Sequence, residues 1–190
     1  MTATKVAGCI IREATGKDTD LLLSFIKRLA AYEKLEDQVE ATRETLYDSL
    51  FVQHAARAVV AELQGMPVGF AIYFFNFSTF IGRPGLYLED LFVVPEMRGR
   101  GIGTALLSHL AKEAVERGCK RMEWTCLDWN TNSLEFYHAL GAVPMDEWTN
   151  QRMTGEALQR LAEGKVEKPK REEKPRRGRP PKNDPTPPLL

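Results

Sequence analysis

Apolar and polar positions recur along this chain with two different periods, and the period marks out the elements. "AGCIIREA" is a short apolar run that ends in charge, and it predicts a first strand. In "TDLLLSFIKRLAAYEKL" the apolar residues Leu22, Phe25, Ile26, Leu29 and Ala30 fall on one helical face, so the segment predicts an amphipathic helix that Thr19 or Asp20 could cap. "EATRETLYDSLF" predicts a second short helix, with Thr42 and Thr45 near its start. "ARAVVAEL", "MPVGFAIYFFNF" and "GLYLEDLFVV" predict three successive strands, the first two joined by a tight turn at "QGM". "GRGIGTALLSHLAKEAVERG" opens as a glycine-rich loop and continues as a long amphipathic helix, for which Gly118 is a natural C-cap. "KRMEWTCL" predicts a further strand, and "NTNSLEFYHALG" a helix stopped by Gly141. "RMTGEALQRLA" fits either a strand-to-helix passage or a short helix alone. The alternation predicts a mixed α/β sheet covered by helices.

Composition adds a boundary. The 190 residues suggest one domain with an appendage. At about Gly164 the chain changes character: residues 165–190 hold seven prolines, nine basic and four acidic residues. Such a segment cannot bury enough apolar surface to offset its ordering entropy, so disorder is expected there and a folded domain over 1–164. The formal net charge of zero hides a split, −5 over 1–164 and +5 over 165–190. An acidic body favours cationic ligands, and a basic tail favours polyanions.

Other classes recede. Cys9, Cys119 and Cys126 are too few and too widely spaced for a disulfide framework or a zinc cluster, which favours reduced thiols in a cytosolic-type compartment. His54, His109 and His138 show no metal-ligand spacing. The start of the chain lacks the apolar segment of a signal peptide, and the most apolar run, "VGFAIYFFNF", is too short to cross a bilayer as a helix.

The stretch "LEDLFVVPEMRGRGIGTALL" carries the chemistry. A glycine-rich loop between a strand and a helix exposes the unpaired N–H groups of the helix start, and these favour a phosphate or pyrophosphate. Gly99, Gly101 and Gly103 allow sharp turns and close backbone approach, and Arg98 and Arg100 could add charge outside that nest. The spacing is neither a Walker loop nor a full dinucleotide fingerprint. By itself it also fits nothing more than a tight start of a helix.

Taken with its surroundings, the stretch resembles the signature of the GNAT superfamily of acyl-CoA-dependent N-acetyltransferases. The motif Arg/Gln-x-x-Gly-x-Gly/Ala is matched by Arg98, Gly101 and Gly103, and the late aromatic helix by "DWNTNSLEFYHALGA". The likeness runs across residues 9–160. Within the superfamily the chain most resembles the diamine group, the spermidine/spermine and thialysine N-acetyltransferases, through "IREAT", "IKRLAAYEKLEDQV" and "VGFAIYFFNFSTFIGRPGLYLEDLFV". This resemblance implies a mixed and mainly antiparallel central sheet flanked by helices, a homodimer, and acetyl-CoA as co-substrate without a metal. It implies coenzyme contacts from Phe92, Val93 and Val94, from the loop Arg98, Gly99, Arg100, Gly101, Ile102, Gly103 and Thr104, and from Asn130, Ser133 and Tyr137.

Acetyl transfer from a thioester to an amine asks for a base, a polarised carbonyl and a proton for the leaving thiolate. The resemblance places Glu89 as the base, directly or through water, and Tyr137 as the acid. Adjacent residues of a strand point to opposite faces, so Glu89 and Asp90 are not expected to form one paired site. Asp90 is left to position substrate or hold structure, and a solvated strand end would account for both acids. Tyr137 could equally be a packed tyrosine with a satisfied hydroxyl. Asn130 and Ser133 are explained adequately as helix caps. Tyr32, Glu33, Glu36 and Asp37 stand in "AYEKLEDQV", where the resembled group binds its acceptor, and the acids lie at helical spacing; a solvated helix end explains each as well.

The tail contains "RRGRPPK", which resembles an AT-hook: a Gly178-Arg179-Pro180 core flanked by Arg176, Arg177 and Lys182. A slim basic segment suits the narrow, strongly negative minor groove of A·T-rich DNA, with salt-sensitive phosphate contacts. A solubilising tail would explain it too. The expectation is therefore an N-acetyltransferase for a small cationic di- or polyamine or lysine-like amine, cytoplasmic, held near DNA of a nucleoid or nucleus by its tail, and independent of membranes. Two alternatives stand beside it: a DNA-tethered protein lysine acetyltransferase, and a non-catalytic DNA-associated ligand-binding module.

Overall fold

The runs rich in β-branched and aromatic residues pair in chain order. In the computed structural model, which describes residues 2–4 and 6–165, the strands are β1 (Thr2–Ala3), β2 (Cys9–Glu13), β3 (Arg57–Leu63), β4 (Met66–Ser78), β5 (Arg83–Val93) and β6 (Met122–Glu123). They form one sheet in the order β1-β2-β3-β4-β5-β6. Every pairing is antiparallel except β5 with β6, which is parallel. The mixed, mainly antiparallel sheet expected above is thus present. Gln64 and Gly65, both at positive φ, make the turn between β3 and β4.

Helices cover both faces. Ala58 to Ala61 are buried in succession, as happens only where a strand is covered on both sides. Phe25 of helix α1 (Thr19–Glu33) stacks on Phe70 of β4, their ring centroids 5.8 Å apart. Three positions along that strand, the Tyr73 hydroxyl donates to Glu113 of helix α3 (Ile102–Glu116). Odd spacing on a strand puts Phe70 and Tyr73 on opposite faces, so α1 and α3 sandwich the sheet. Phe25, Phe70 and Phe92 form the aromatic centre of one layer, and Ile102, Leu106 and Leu110 bury one stripe of α3. Each such side chain contributes about 1.5–3 kcal/mol by leaving water.

Local signals set the helix ends. Arg12 bridges Asp18 and Glu62, which ties the start of α1 to β2 and β3. Thr42 caps the short helix α2 (Arg43–Tyr47), accepting from the Thr45 N–H, and the chain continues as one wider turn over Asp48–Val52. α1 closes at Lys34, whose φ of 62° is left-handed. Helix α4 is Thr131–Ala139.

One expectation changes, and one left open is decided. "KRMEWTCL" contributes only the two residues of β6, because the chain touches β5 at Leu86↔Met122 and Tyr87↔Glu123 and then leaves it. "RMTGEALQRLA" gives helix α5 (Gly155–Ala162) after the cap position Thr154, with no strand among the described residues there. Compactness divides the chain into Met1–Leu140 and Gly141–Leu190, and α5 belongs to the second unit. The basic segment at 176–182 lies outside the described residues.

Candidate active site

The departure of β6 from β5 opens the sheet. Beyond Tyr87 and Glu123 the two chains splay, and Leu88–Val93 face Trp124–Cys126 across a cleft of about 640 Å³. Backbone on both walls of the splay has lost its ladder partner on that side, so N–H and C=O groups are available to a ligand.

The loop before α3 forms one end of the cleft. Gly99 and Gly101 sit at φ 72° and 82°, a region that favours glycine strongly, and Gly101 is the residue at which α3 starts. The Ala105 N–H donates to the Gly101 carbonyl at 2.9 Å. By helix geometry the amides of Ile102, Gly103 and Thr104 then have no intrahelical acceptor, and all three residues line the cleft. A Cβ at Gly103 would meet only the Phe136 ring at 3.5 Å, an ordinary contact. The third glycine is thus set by the cleft rather than by backbone strain.

Arg98 behaves differently from its expected role as charge outside the nest. Its Nε donates to the Val93 carbonyl at 3.0 Å, and its guanidinium lies 4.6 Å from the centroid of Tyr32 and 5.8 Å from that of Phe92. It lines the cleft from this inward-turned position. Arg100 is exposed and does not line the cleft. Val94 does not either, because its N–H remains paired to the Val68 carbonyl and its side chain is buried.

The acidic end corrects the expectation of opposite faces. On β4, Ile72 and Tyr73 are consecutive, but their partners on β5 are Asp90 and Leu88. Glu89 is therefore the extra residue of a β-bulge, and a bulge breaks the period-two alternation. Glu89 and Asp90 both line the cleft, Glu89 exposed and Asp90 half-buried. Burial, helped by the nearby charges of Glu89 and Glu33, pushes the Asp90 carboxyl up to about 6. Burial raises Glu33 as well. Tyr32 and Glu33 line the cleft as expected, whereas Glu36 and Asp37 do not. They follow the left-handed Lys34 in a separate 3₁₀ turn, Glu36–Gln38, and are exposed.

Helix α4 supplies the remaining wall. Asn130 is 7% exposed, and its Oδ1 accepts from the Ser133 N–H at 3.4 Å, which starts the helix. Tyr137 and Phe136 follow and line the cleft with Asn130 and Ser133. The Tyr137 ring packs against Trp124 at 5.0 Å between centroids. Its hydroxyl is pushed up to about 12, chiefly by burial and then by Cys126 and Glu33, and so stays protonated at neutral pH. Sequence reasoning did not single out Leu29, Leu88, Leu91, Met97, Trp124, Thr125, Cys126 or Asn132 as lining residues. Their one signal is position beside the splay, which no spacing announces.

The cleft joins a run of free amides, a splayed strand pair and a protonated tyrosine near carboxylates. Residues 23–142 match the Acetyltransferase (GNAT) family. The chain belongs to that family. It is an acetyl-CoA-dependent N-acetyltransferase, transferring the acetyl group to an amine. The chain is 38% identical over 169 residues to a thialysine N-ε-acetyltransferase of Bos taurus, covering 83% of this chain and 99% of the relative. Over 93 residues it is 42% identical to an L-ornithine N5-acetyltransferase of Arabidopsis thaliana, covering 49% and 41% of the two chains. A solved integron cassette protein from V. cholerae superposes with a TM-score of 0.69 and 29% identity, covering 82% of this chain and 98% of that one. The free amides of α3 and the room of the splay fit a pyrophosphate and the thioester arm attached to it. Among the described residues no group of three or more His, Cys, Asp or Glu is arranged to hold a metal ion. No described helix is long and apolar enough to cross a membrane.

Proposed function

We propose that the acceptor is a primary amine of a small diamine or polyamine, or of a lysine-like amine, attacked directly while acetyl-CoA is bound. The observation that carries this reading is the bulge at Glu89, which brings two adjacent carboxylates into the cleft near Glu33. A cationic amine is drawn to that cluster, and a carboxylate that takes up its proton frees the lone pair that attack requires. The relatives point the same way, since the acceptors in their names, thialysine and L-ornithine, are small amines with a second charged end.

Acetyl-CoA supplies the activated acetyl group. The amides of Ile102, Gly103 and Thr104 hold its pyrophosphate, and Phe92, Val93, Gly99, Asn130 and Ser133 line its path. Backbone N–H groups freed by the splay polarise the acetyl carbonyl. Glu89 accepts the amine proton, directly or through water, with Asp90 beside it as a coupled partner. Tyr137 gives its proton to the departing sulfur and regains one from solvent. Glu33 orients the far end of the acceptor.

A panel of polyamines, L-ornithine, lysine analogues and basic peptides, assayed with acetyl-CoA, tests the proposal. Turnover of small diamines or lysine-like amines above peptides is expected; turnover of peptides alone would replace it with a protein-directed activity. The proposal includes a homodimer, read out by sedimentation, and a tail that binds A·T-rich duplex through Arg179 and its basic neighbours, for which Arg179→Ala should weaken binding at low salt.

A further inference from the structure

Resting on the acetyl-transfer reading above, we infer that Tyr32 is a positioning residue that holds the coenzyme loop and the helix bearing Tyr137 in register, its ring carrying Arg98 and its hydroxyl carrying Asn130. The sequence places Tyr32 with the acceptor side, and nothing in its spacing suggests a link between the two ends of the cleft.

The geometry provides that link. Tyr32 stands one residue from the end of α1, where the Lys34 N–H and the Leu35 N–H close the helix onto Ala31 and Ala30 at 3.3 and 2.9 Å. Its hydroxyl donates to Asn130 Oδ1 at 3.0 Å, across 98 positions of sequence. Among the described residues this is the one hydrogen bond that joins α1 to α4. The same oxygen accepts from the Ser133 N–H, so the bond fixes the atom that starts α4. Asn130 is in turn anchored by its own N–H, which donates to the Leu127 carbonyl at 2.9 Å. Against the ring lie the Arg98 guanidinium at 4.6 Å and the Trp129 ring at 6.0 Å. Arg98 is tied by Nε to the Val93 carbonyl at the end of β5, so the ring holds the loop through its arginine.

One side chain thus serves two partners by two separable means. The hydroxyl acts on α4, and through it on where Tyr137 stands. The aromatic face acts on Arg98, and through it on the amides that receive pyrophosphate. Removing the hydroxyl should disturb proton delivery to the leaving group and leave the pyrophosphate-binding amides of α3 in place. Removing the ring should disturb both.

The test uses the full chain, the best amine of the panel, acetyl-CoA affinity by calorimetry, and thermal unfolding. Tyr32→Phe is expected to lower kcat about three- to tenfold, the worth of one hydrogen bond, with acetyl-CoA Kd within about twofold. Tyr32→Leu is expected to add a loss of about fivefold in acetyl-CoA affinity, the worth of a cation held on an aromatic face. In an Asn130→Ala background, Tyr32→Phe should produce no further loss of kcat, because the partner is already gone. An unchanged kcat for Tyr32→Phe, or a full additive loss in the Asn130→Ala background, overturns the inference. If Tyr32→Leu unfolds below assay temperature, the Tyr32→Phe pair of measurements decides alone. Failure of the parent chain to acetylate any amine would instead reject the acetyl-transfer reading, which is a separate result from an active parent with an indifferent Tyr32→Phe.

Discussion

The loop Arg98–Thr104 brings main-chain amides and two left-handed glycines to the cleft, whereas the other end brings the carboxylates of Glu33, Glu89 and Asp90. The first end is built from backbone. Its residue types follow from conformation, since φ values of 72° and 82° at Gly99 and Gly101 leave little choice. The second end is built from side chains brought together by a one-residue bulge and by the place where α1 stops. A backbone site constrains spacing tightly and chemistry loosely, which suits a coenzyme common to many acceptors. A side-chain site does the reverse, which suits an acceptor that must be distinguished.

The sharpest way to separate the two ends is to neutralise the acidic one. Glu89→Gln with Asp90→Asn is expected to lower kcat by about 10²–10⁴-fold, the usual worth of general base catalysis, while acetyl-CoA affinity changes little. The single variants say how the pair divides the work. The Asp90 carboxyl is pushed up to about 6, so below that pH it holds a proton and cannot help to accept another. In the parent, kcat/KM should therefore rise with pH through about 6, as a property of the coupled pair and distinct from the amine's own titration. Asp90→Asn should remove or move that limb. A limb unchanged in both single variants would show that neither carboxylate is the base.

Tyr137→Phe comes next. Loss of a proton donor at the leaving thiolate should lower kcat about a hundredfold with acetyl-CoA affinity preserved. The parent should show no loss of activity from ionisation of this tyrosine up to pH 10, since burial has pushed its hydroxyl up to about 12. A matching fall in coenzyme affinity would reassign Tyr137 to binding.

The contrast between the ends also explains what could be read from the chain. Leu22, Phe25 and Leu29 announce α1, and the apolar runs around Val59, Phe70 and Leu86 announce β3 to β5, because burial on a regular element imposes a period. Arg98, Gly101 and Gly103 announce the loop for the same kind of reason. The bulge at Glu89 was not legible, since it depends on how Ile72 and Tyr73 meet β5 from another strand. Alternation alone put Glu89 and Asp90 on opposite faces, and the bulge undoes that. Likewise the splay was not legible in its extent: "KRMEWTCL" has strand character throughout, yet its contact with β5 runs only from Lys120 to Glu123, and the chain departs at Trp124. The inward turn of Arg98 onto Tyr32 depends on a contact 66 positions away in the chain and leaves no local trace.

The backbone end can be broken in turn. Gly101→Ala forces a Cβ into a left-handed conformation, at a cost of about 1–2 kcal/mol. Acetyl-CoA affinity should fall about tenfold, with kcat at saturation nearly intact. Gly103→Ala should cost less in stability, because its Cβ meets only Phe136 at 3.5 Å. If the two variants lose equal affinity, room in the cleft rather than backbone conformation sets the loop's glycines.

The smallest expected effect lies at the end of α1, and it tests how far the acidic end extends. Glu33, Glu36 and Asp37 look equivalent in sequence, yet of the three only Glu33 lines the cleft, where burial raises its carboxyl. The left-handed Lys34 ends the helix between them and turns Glu36 and Asp37 toward solvent. Glu33→Gln should raise KM for a diamine about three- to tenfold, as loss of a charged partner in a partly buried site would. It should also lower the limb near 6, because the Glu33 charge helps to raise Asp90. Glu36→Gln and Asp37→Asn should each change KM by less than about twofold at physiological salt, where exposed charges are screened within about 8 Å. A loss at Glu36 or Asp37 equal to that at Glu33 would mean that the acceptor reaches past Lys34 along the rim, and the acidic end would then be a track for a long polyamine rather than a pocket for a short one.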